Sequence, residues 1–440
     1  MSKGEEMHIV LLSGGSGKRL WPLSNDIRSK QFVKLFKNEN DEYESMLQRV
    51  YRQIKSASPN ATVTIATSKS QVSAIKNQLG NKVSVCVEPC RRDTFPAIAL
   101  ATAYLKYVLN VSENEAVAIC PVDPYVDVSY YETVSELVKF SENGTQKLSL
   151  MGIEPTYPSE KFGYIIPCVS DKQSKVKEFK EKPDSKKAQE YILQGALWNA
   201  GVFAFKLGYL LEKAHELIEF TDYKDLYNKY ETLTKISFDY AVVEKERDIQ
   251  VLRYNGEWKD IGTWDAMTEV MSDDTKGNVI LDDECKNTKV VNELGIPVLC
   301  MGCKDMIIAA SSDGILITNK ERSSSLKDYA EKIDSEAMYA EKSWGTYNAI
   351  DVQQNAKTVK IFLKSGSSMQ YHSHELRSEV WTVVSGQGKV VLDGVEQNVS
   401  AGDVVNVKAR VKHLIEALTD MELVEIQLGD VLDVNDKKKY

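Results

Sequence analysis

The sequence predicts an α/β protein: a mainly parallel sheet covered by helices, then a short β connector, then an antiparallel jelly-roll barrel. Up to about residue 270, apolar strand-like runs alternate with helical stretches; from 274 to 333, short apolar runs are separated by Gly, Asp and Asn; from 357 onward, short strands alternate with turns. Apolar runs with long crossovers between them are typical of buried parallel strands. Evenly spaced short strands are typical of antiparallel barrels. We expect domains at 1–272, 273–338 and 339–440.

Each region contributes its own predicted elements. The first region has five apolar runs, at 8–12, 62–66, 82–87, 116–120 and 148–153. The connector has runs at 278–281, 290–291 and 306–308, and 321–335 is predicted as a polar helix or linker. The barrel strands are expected at 357–364, 380–385, 388–392, 403–407 and 423–428.

Size and charge exclude several classes of protein. A chain of 440 residues suits two or three domains. A net charge of −9, with no basic run outside the last few residues, argues against a nucleic-acid partner. No apolar segment is long enough to cross a bilayer, and the N-terminal residues lack the layout of a signal peptide. We therefore expect no membrane partner, a cytoplasmic location and a homo-oligomer.

A glycine-rich loop follows the first predicted strand. It contains Gly14, Gly15, Ser16 and Gly17, followed directly by two cations, Lys18 and Arg19. Glycines at such a turn let backbone N–H groups approach a phosphate. The loop is not a Walker loop, because an arginine stands where Ser or Thr is required after the lysine. The pattern therefore predicts a different kind of nucleotide-phosphate loop.

Two aspartates stand at the ends of predicted strands. Asp123 follows the fourth strand, and Asp260 follows an apolar run that ends in Trp258. Ligands of parallel sheets bind beyond the carboxyl ends of the strands, where the glycine loop and Asp123 both fall. Either aspartate alone is more often a turn or a helix cap, so their assignment depends on the shared context.

Three of the five histidines lie in the barrel region. His372 and His374 are two residues apart on a predicted strand, so both side chains point to one face. Glu379 and His413 follow at spacings that suit neighbouring strands. Three histidines and a carboxylate inside a small barrel predict a site for Zn²⁺, Fe²⁺ or Mn²⁺.

Several motifs resemble those of one enzyme family. The loop Gly-Gly-x-Gly-x-Arg-Leu-x-Pro-Leu resembles the signature of the sugar-nucleotide pyrophosphorylases. Further segments resemble the mannose-1-phosphate guanylyltransferases, notably Ser29-Lys30-Gln31-Phe32, Phe162-Gly163-Tyr164, Glu181-Lys182-Pro183, Trp198-Asn199-Ala200-Gly201 and Phe238-Asp239-Tyr240-Ala241. The resemblance implies a Rossmann-like nucleotidyltransferase domain that transfers GMP from GTP to α-D-mannose 1-phosphate.

The resemblance also implies roles for individual residues. Asp123 and Asp260 would bind Mg²⁺. The implied nucleotide site contains Gly14, Gly15, Ser16, Gly17, Lys18, Arg19, Lys30 and Glu88, with Arg19 and Lys30 on the triphosphate. The implied sugar-phosphate site contains Gly163, Glu181, Lys182, Asn199 and Lys245, with the two lysines on the phosphate. Lys18, Arg19 and Lys182 would act in catalysis together with the two aspartates.

The segment 366–386 resembles the first motif of the cupins, with His372, His374 and Glu379 at the named positions. In the resembled family, a cupin here often carries mannose-6-phosphate isomerase activity. That activity stays open, because Val380 stands where the isomerase motif has His before Trp. Asp93 and Pro124 also depart from the transferase pattern, which leaves other sugars, such as a manno-heptose or fucose 1-phosphate, as alternatives. A non-catalytic sugar-nucleotide sensor is the alternative from another class.

Overall fold

The computed structural model describes residues 7–15, 17–25, 27–333, 336–433 and 436–440. Within these residues the chain forms two compact units. The first unit contains 7–15, 34–72 and 81–262, and the second contains 17–33, 73–80 and the residues from 263 onward. The predicted domain limits at 272 and 338 stay predictions. The grouping of 17–33 and 73–80 with the later part of the chain was not expected.

A nine-stranded sheet forms the centre of the first unit. Its strands, in spatial order, are Ser84–Glu88, Thr62–Ser68, His8–Ser13, Ala116–Pro121, Leu197–Lys206, Leu148–Ile153, Ile249–Tyr254, Gln173–Lys180 and Tyr164–Pro167. All five runs predicted from the sequence are strands of this sheet. Four of them were recognisable because they are buried on both faces, as in His8–Ser13, where five of six residues are buried. The fifth, Ser84–Glu88, lies at the edge of the sheet and has only Cys86 buried.

The prediction of a mainly parallel sheet is confirmed, with one central exception. The first four strands are mutually parallel, and Ile249–Tyr254 is parallel to Leu148–Ile153. Leu197–Lys206 runs antiparallel between Ala116–Pro121 and Leu148–Ile153, and Gln173–Lys180 is antiparallel to both of its neighbours. The direction of Leu197–Lys206 was not predictable, because a strand buried on both faces shows the same apolar run in either direction.

Helices cover this sheet. Those of the first unit are Met46–Ala57, Thr94–Tyr107, Val128–Asn143, Ser185–Leu193, Leu207–Leu217 and Tyr223–Lys229, and Val72–Leu79 begins there. The first of them starts at a capping box, in which Ser45 and Gln48 satisfy each other's backbone N–H groups. No helix among the described residues is long and apolar enough to span a membrane.

Two short antiparallel ladders complete the first unit. Lys34–Lys37 pairs with Tyr43–Ser45, and Trp258–Asp260 pairs with Pro124–Val126. A π-helical turn, Asp239–Val243, precedes the strand Ile249–Tyr254. π-Helical turns are rare and often occur at functional sites.

Stacked β turns form the connector, as predicted. Thr275–Lys276, Lys289–Asn292 and Met306–Ser311 pair in parallel, and Gly314–Asn319 adds an antiparallel edge. Val279–Leu281 and Val298–Cys300 form a second parallel pair. The short helices of this unit are Trp264–Val270 and Leu326–Ala330, the latter preceded by the 3₁₀ turn Glu321–Ser325. The end of the predicted polar helix, 334–335, lies outside the described residues.

An antiparallel barrel of two sheets follows, as predicted. One sheet contains, in spatial order, Tyr339–Lys342, Gly345–Val352, Ala356–Leu363, Met421–Leu428, Ser378–Ser385 and Val404–Val407. The other contains Val395–Ser400, Gln387–Leu392, His413–Ala417, His372–Ser373 and Lys438–Lys439. Buried and partly exposed residues alternate along Met421–Leu428, which directs one side chain in two to the core.

Candidate active site and metal centre

Asp123 and Asp260 lie at the same edge of the first unit. Asp260 ends the strand that pairs with Pro124–Val126, and the ladder places it opposite Pro124, the neighbour of Asp123. Both aspartates line one cavity of about 240 Å³. Asp123 is half-buried and Asp260 is exposed. Mg²⁺ prefers oxygen ligands and commonly binds through one or two carboxylates plus substrate phosphates. The two carboxylates therefore fit the predicted Mg²⁺ site.

Three of the predicted sugar-site residues, Gly163, Glu181 and Asn199, line the same cavity. The Oε2 atom of Glu181 is buried and has no hydrogen-bond partner among the described residues. A Cβ on Gly163 would lie 2.5 Å from this oxygen. Glycine at 163 thus leaves space for a carboxylate that still has an unsatisfied acceptor. A sugar hydroxyl is a donor that would satisfy it.

Lys182 is held beside that carboxylate. Its Nζ atom donates a hydrogen bond of 2.6 Å to Oε1 of Glu181. Its backbone has a φ of 47°, which a lysine adopts only where the surrounding structure requires it. Partial burial lowers the pKa of Lys182, but the hydrogen bond to Glu181 and the charge of Asp239 outweigh it and raise the pKa overall. Lys182 is not among the residues that line the cavity, but its hydrogen bond holds a cation beside Glu181, which is.

Asp239 lines the same cavity and was not assigned from the sequence. It begins the π-helical turn, and its Oδ1 atom accepts a hydrogen bond of 2.7 Å from Nδ2 of Asn199. Burial, together with the nearby charge of Glu181, raises the pKa of Asp239 to about 7. The motif around Phe238 marked this segment, but nothing in the sequence indicated that the carboxyl is buried.

An aromatic wall closes one side of this cavity. Phe162 and Trp258 both line it, and their ring centroids are 5.4 Å apart. Trp198 lies 4.9 Å from Phe162 by the same measure. Lys161, a cation that was not assigned from the sequence, also lines the cavity. The pocket thus combines an apolar surface with a few polar groups, which is the usual composition of a small-molecule site.

Lys245 is not among the residues that line this cavity. It lines a second cavity of about 510 Å³, together with Phe95, Leu217, Lys229 and Ile236. The π-helical turn borders both cavities, because Asp239 lines the first and Ala241 lines the second. The role of Lys245 on the sugar phosphate stays a prediction from the resemblance alone.

The glycine loop begins directly after the first strand. Gly15 has a φ of 110°, which favours glycine, and a Cβ on Gly14 or Gly15 would meet no atom within 4 Å. The backbone is therefore open to a ligand. The Nη2 atom of Arg91 donates a hydrogen bond of 2.9 Å to the Gly15 carbonyl oxygen, so this arginine, which was not assigned, supports the loop.

Glu88 ends an edge strand of the same sheet. Its Oε2 atom accepts a hydrogen bond of 2.8 Å from the Tyr230 hydroxyl. Burial raises the pKa of Glu88, although the hydrogen bond and Arg91 act in the opposite direction. Glu88 therefore lies close enough to Arg91, which supports the loop, for the two charges to interact. Its role in the nucleotide site stays a prediction.

The remaining predicted nucleotide-site residues belong to the second unit. Lys18 and Arg19 lie on the 3₁₀ turn Gly17–Leu20, where Lys18 is half-buried and Arg19 is exposed. Lys30 is half-buried and begins the 3₁₀ turn Lys30–Phe32. Ser16 lies outside the described residues.

The barrel brings its three predicted histidines together. His372, His374 and His413 are buried, and one ring nitrogen of each lies within 4.8 Å of the others. Each Nδ1 atom contacts a backbone carbonyl oxygen: that of Gln370 at 2.7 Å, that of Asp436, and that of Val411 at 2.9 Å, respectively. Because a carbonyl only accepts, each Nδ1 carries a proton, and Nε2 is the atom of each ring that is placed to bind a metal.

The fourth predicted ligand stands beside these nitrogens. The Oε1 atom of Glu379 is 3.2 Å from Nε2 of His374, and its Oε2 atom is 3.5 Å from Nε2 of His413. The Nε2 atom of His413 is buried with no hydrogen-bond partner among the described residues. Burial lowers the pKa of His372 to about 3, so its ring is neutral at pH 7. Three imidazoles and a carboxylate fit a divalent transition metal.

Two further barrel residues were missed by sequence reasoning. The Nε atom of Arg377 donates to Oε1 of Glu379 at 3.0 Å, and its Nη2 atom is 3.1 Å from Nε2 of His374. Glu425 is buried, and burial together with the charge of Glu379 raises its pKa to about 8. Glu425 lies on the strand Met421–Leu428, next to the strand that carries Glu379, so no local motif marks it. Arg377 lies two residues before Glu379, inside the segment 366–386, but the motif names no residue at that position.

Comparisons with known proteins agree with this geometry. The sequence model described as nucleotidyl transferase matches residues 8–277, and the one described as mannose-6-phosphate isomerase C-terminal matches residues 330–440. The chain belongs to the nucleotidyl transferase family. The first match contains the glycine loop, both aspartates and the whole cavity that they line. The second contains all four predicted metal ligands of the barrel.

Relatives in this family match along nearly the whole chain. The mannose-1-phosphate guanylyltransferase of Salmonella montevideo is 28% identical, over 98% of each chain. The xanthan biosynthesis protein XanB of Xanthomonas campestris is 29% identical, over 98% of this chain and 97% of its own. A crystal structure from Thermus thermophilus, described as a mannose-1-phosphate geranyltransferase, is 26% identical with a TM-score of 0.60. It covers 75% of this chain and 100% of its own.

Proposed function

We propose that this nucleotidyl transferase family member is a mannose-1-phosphate guanylyltransferase, which forms GDP-mannose and pyrophosphate from GTP and α-D-mannose 1-phosphate with Mg²⁺. One observation carries the proposal. A single cavity contains two carboxylates suited to Mg²⁺ and, around Glu181, a set of groups suited to sugar hydroxyls. Relatives that match nearly the whole chain are named mannose-1-phosphate guanylyltransferase, which supports the choice of nucleotide and sugar.

The chemistry needs charge stabilisation more than proton transfer. An oxygen of the sugar phosphate attacks the α-phosphorus of GTP, and the bond from that phosphorus to the pyrophosphate oxygen breaks. The nucleophile is already an anion, so no general base is required. Two polyanions must be held together in line, which fixed cations and positioned ligands achieve. Mg²⁺ bound at the two aspartates would neutralise charge on the phosphates.

Other residues bind and position the sugar, its phosphate and the triphosphate. Glu181 accepts hydrogen bonds from sugar hydroxyls, and Asn199 donates hydrogen bonds to them. Gly163 leaves room for the Glu181 carboxylate. Asp239 holds the Asn199 side chain through its 2.7 Å hydrogen bond, which fixes the direction of that amide. Lys182, charged and tethered by Glu181, binds the phosphate of the sugar. In the second unit, Lys18, Arg19 and Lys30 bind the triphosphate.

The test is a pyrophosphate-release assay that crosses four nucleoside triphosphates with several sugar 1-phosphates in the presence of Mg²⁺. The proposal expects the highest kcat/KM for GTP with mannose 1-phosphate. A preference for a manno-heptose or fucose 1-phosphate would keep the reaction and change the sugar. Binding of GDP-mannose without turnover by any pair would instead favour a sugar-nucleotide sensor.

We also propose that the barrel binds one divalent transition metal and, as a second function, interconverts mannose 6-phosphate and fructose 6-phosphate. Glu425 favours this function, because it is a buried carboxyl close enough to the predicted metal ligand Glu379 to be affected by its charge, and a carboxyl there can move a proton on a bound sugar. The bound metal would polarise the sugar carbonyl. A coupled assay that converts fructose 6-phosphate tests the activity, and metal-loaded protein without turnover would refute it.

A further inference from the structure

The segment between the glycine loop and Lys30 is held by residues far along the chain. The Nε1 atom of Trp264 donates a hydrogen bond of 3.0 Å to the Trp21 carbonyl oxygen. The Oγ atom of Ser311, in the connector, donates one of 2.7 Å to the Pro22 carbonyl oxygen. Gly314 makes room for the Trp21 ring, since a Cβ there would lie 2.5 Å from it. Ser311 and Gly314 of the connector thus hold the segment between the glycine loop and Lys30 at Trp21 and Pro22.

A buried ion pair fixes the next part of this segment. Arg28 is only 6% exposed and forms two hydrogen bonds with Glu293 of the connector, Nη1 to Oε2 at 2.6 Å and Nη2 to Oε1 at 3.1 Å. Its guanidinium group lies 4.7 Å from the centre of the Tyr339 ring. Such bidentate pairs fix orientation as well as charge, and only arginine offers that geometry. Arg28 is two residues from Lys30.

Asn25 shapes the turn that precedes Lys30. Its Oδ1 atom accepts hydrogen bonds from the backbone N–H groups of Ile27 and Arg28, at 2.9 and 2.6 Å. Its Nδ2 atom donates one of 2.6 Å to Oδ2 of Asp313, whose Oδ1 atom accepts from the Met338 N–H group at 2.5 Å. The turn therefore depends on an aspartate almost three hundred residues away in sequence.

The residues after Lys30 are fixed in the same way. The Phe32 carbonyl oxygen accepts a hydrogen bond of 2.9 Å from Nε2 of Gln78. The same Nε2 atom also lies 2.9 Å from Oε2 of Glu341, a buried residue of the first barrel sheet. Lys30 thus stands between two anchors, Arg28 with Glu293 on one side and Phe32 with Gln78 on the other.

We infer that Glu293, Asp313 and Glu341 are positioning residues for Lys30, so that the connector and the first barrel strand set the affinity for the triphosphate. This inference rests on the proposed function, in which Lys30 binds that triphosphate. A flexible lysine would lose conformational freedom each time it bound a phosphate. A backbone fixed on both sides reduces this cost before the ligand arrives. The connector is therefore part of the nucleotide-binding apparatus rather than a spacer.

Variants of two of these three carboxylates, Glu293 and Asp313, in the whole chain test this inference. Glu293→Gln keeps the size of the side chain but removes the charge that pairs with Arg28. Asp313→Asn is the milder second variant, because it loses one of the two hydrogen bonds that Asp313 accepts. Glu293→Asp is the conservative variant. Glu136→Gln is the control, since Glu136 forms an exposed 2.6 Å pair with Lys172 away from this segment.

We expect Glu293→Gln to raise the KM for GTP by about tenfold to a hundredfold and to leave the KM for mannose 1-phosphate within about twofold. Asp313→Asn should have a smaller effect of the same kind. Glu293→Asp should recover part of the loss, and the control should match the wild type. A purely structural role would instead lower the melting temperature and change both KM values together.

Calorimetric titration with GTP separates this inference from the proposed function. If the wild type binds GTP but releases no pyrophosphate from any pair, the proposed function fails. A weaker affinity for GTP in Glu293→Gln then still supports the inference. If Glu293→Gln does not fold, Asp313→Asn decides. Folded variants with wild-type affinity for GTP, or with equal losses for both substrates, would overturn the inference.

Discussion

The transferase cavity and the barrel centre both present ligands for a divalent cation, but they are constructed differently. In the cavity, Asp123 is half-buried and Asp260 exposed, on the ends of a short two-stranded ladder. In the barrel, His372, His374 and His413 are each at most 3% exposed. Every one of the three rings is oriented by a backbone carbonyl.

The difference corresponds to the two kinds of cation. Mg²⁺ that enters with a nucleotide must keep waters and accept phosphate oxygens, so an open pair of carboxylates suits it. A resident transition metal is held by fixed imidazoles whose outer nitrogens are already paired. We therefore expect the cavity to hold its metal only together with substrate. The barrel should retain its metal through purification.

The largest expected effect is on the open site. Asp123→Asn and Asp260→Asn should each lower kcat for pyrophosphate release by about a hundredfold or more, because the Mg²⁺ loses half of its protein charge. Asp260→Asn should not change the melting temperature, since that carboxylate is exposed. Asp265→Asn, an exposed neighbour outside the cavity, is the matched control. An aspartate whose variant keeps normal activity and normal Mg²⁺ dependence is not a ligand.

Loss of histidines from the barrel site should change the metal content of the purified protein. Purified wild type is expected to contain about one transition metal per chain, and the double variant His372→Ala/His374→Ala close to none. Elemental analysis after gel filtration measures both. Equal metal content in the two proteins would refute the barrel site. Replacing His215, which belongs to the first unit, by Ala controls for the loss of histidines in general.

Lys182→Ala should have an intermediate effect at the sugar end of the cavity. Loss of a charge-assisted hydrogen bond to the sugar phosphate is expected to raise the KM for mannose 1-phosphate roughly tenfold and to leave the KM for GTP unchanged. Lys180→Ala is a matched control, because this lysine is close in sequence and pairs with Glu178 instead. A change confined to GTP would move Lys182 to the nucleotide side.

The smallest expected effect concerns the pH dependence of stability. The pKa of Asp239 is raised to about 7 in the folded protein. Between pH 4 and 7 the folded state therefore binds a proton that the unfolded state has lost, and stability from this group falls as pH rises. Asp239→Asn should remove that fall, so the melting temperature of the variant relative to wild type should rise by a few degrees from about pH 5 to 7.

Melting curves of both proteins at the two pH values measure this difference, with Asp171→Asn, on an exposed turn, as the control. A difference between variant and wild type that is constant with pH would show that Asp239 is ionised throughout this range.

The sequence predicted more of the fold than of the burial and ionisation of the residues in the candidate site. Buried apolar runs identified five of the nine strands in the sheet of the first unit, because burial on both faces leaves a strong signal. The antiparallel direction of Leu197–Lys206 had no such signal, since it depends on which neighbours the strand meets. The grouping of 17–33 with the connector was equally hidden, because the Arg28–Glu293 pair joins residues far apart in sequence.

The same distinction holds for the candidate site. Residues within recognisable motifs, such as Asp123, Glu181 and Asn199, are brought together as predicted. Asp239 and Glu425 were missed, because an acidic residue in a sequence carries no sign of burial or of the partners that shift its pKa. Motifs thus predict which residues meet, whereas the ionisation of those residues depends on tertiary surroundings.

The central claim is that the open cavity transfers a nucleotide to a sugar phosphate. Its most direct test is to incubate the wild type with GTP, mannose 1-phosphate and Mg²⁺, and to quantify both products. We predict GDP-mannose and pyrophosphate in equal amounts, with no reaction when Mg²⁺ is chelated. Release of pyrophosphate or phosphate without a sugar nucleotide, or no product from either substrate, would contradict the account.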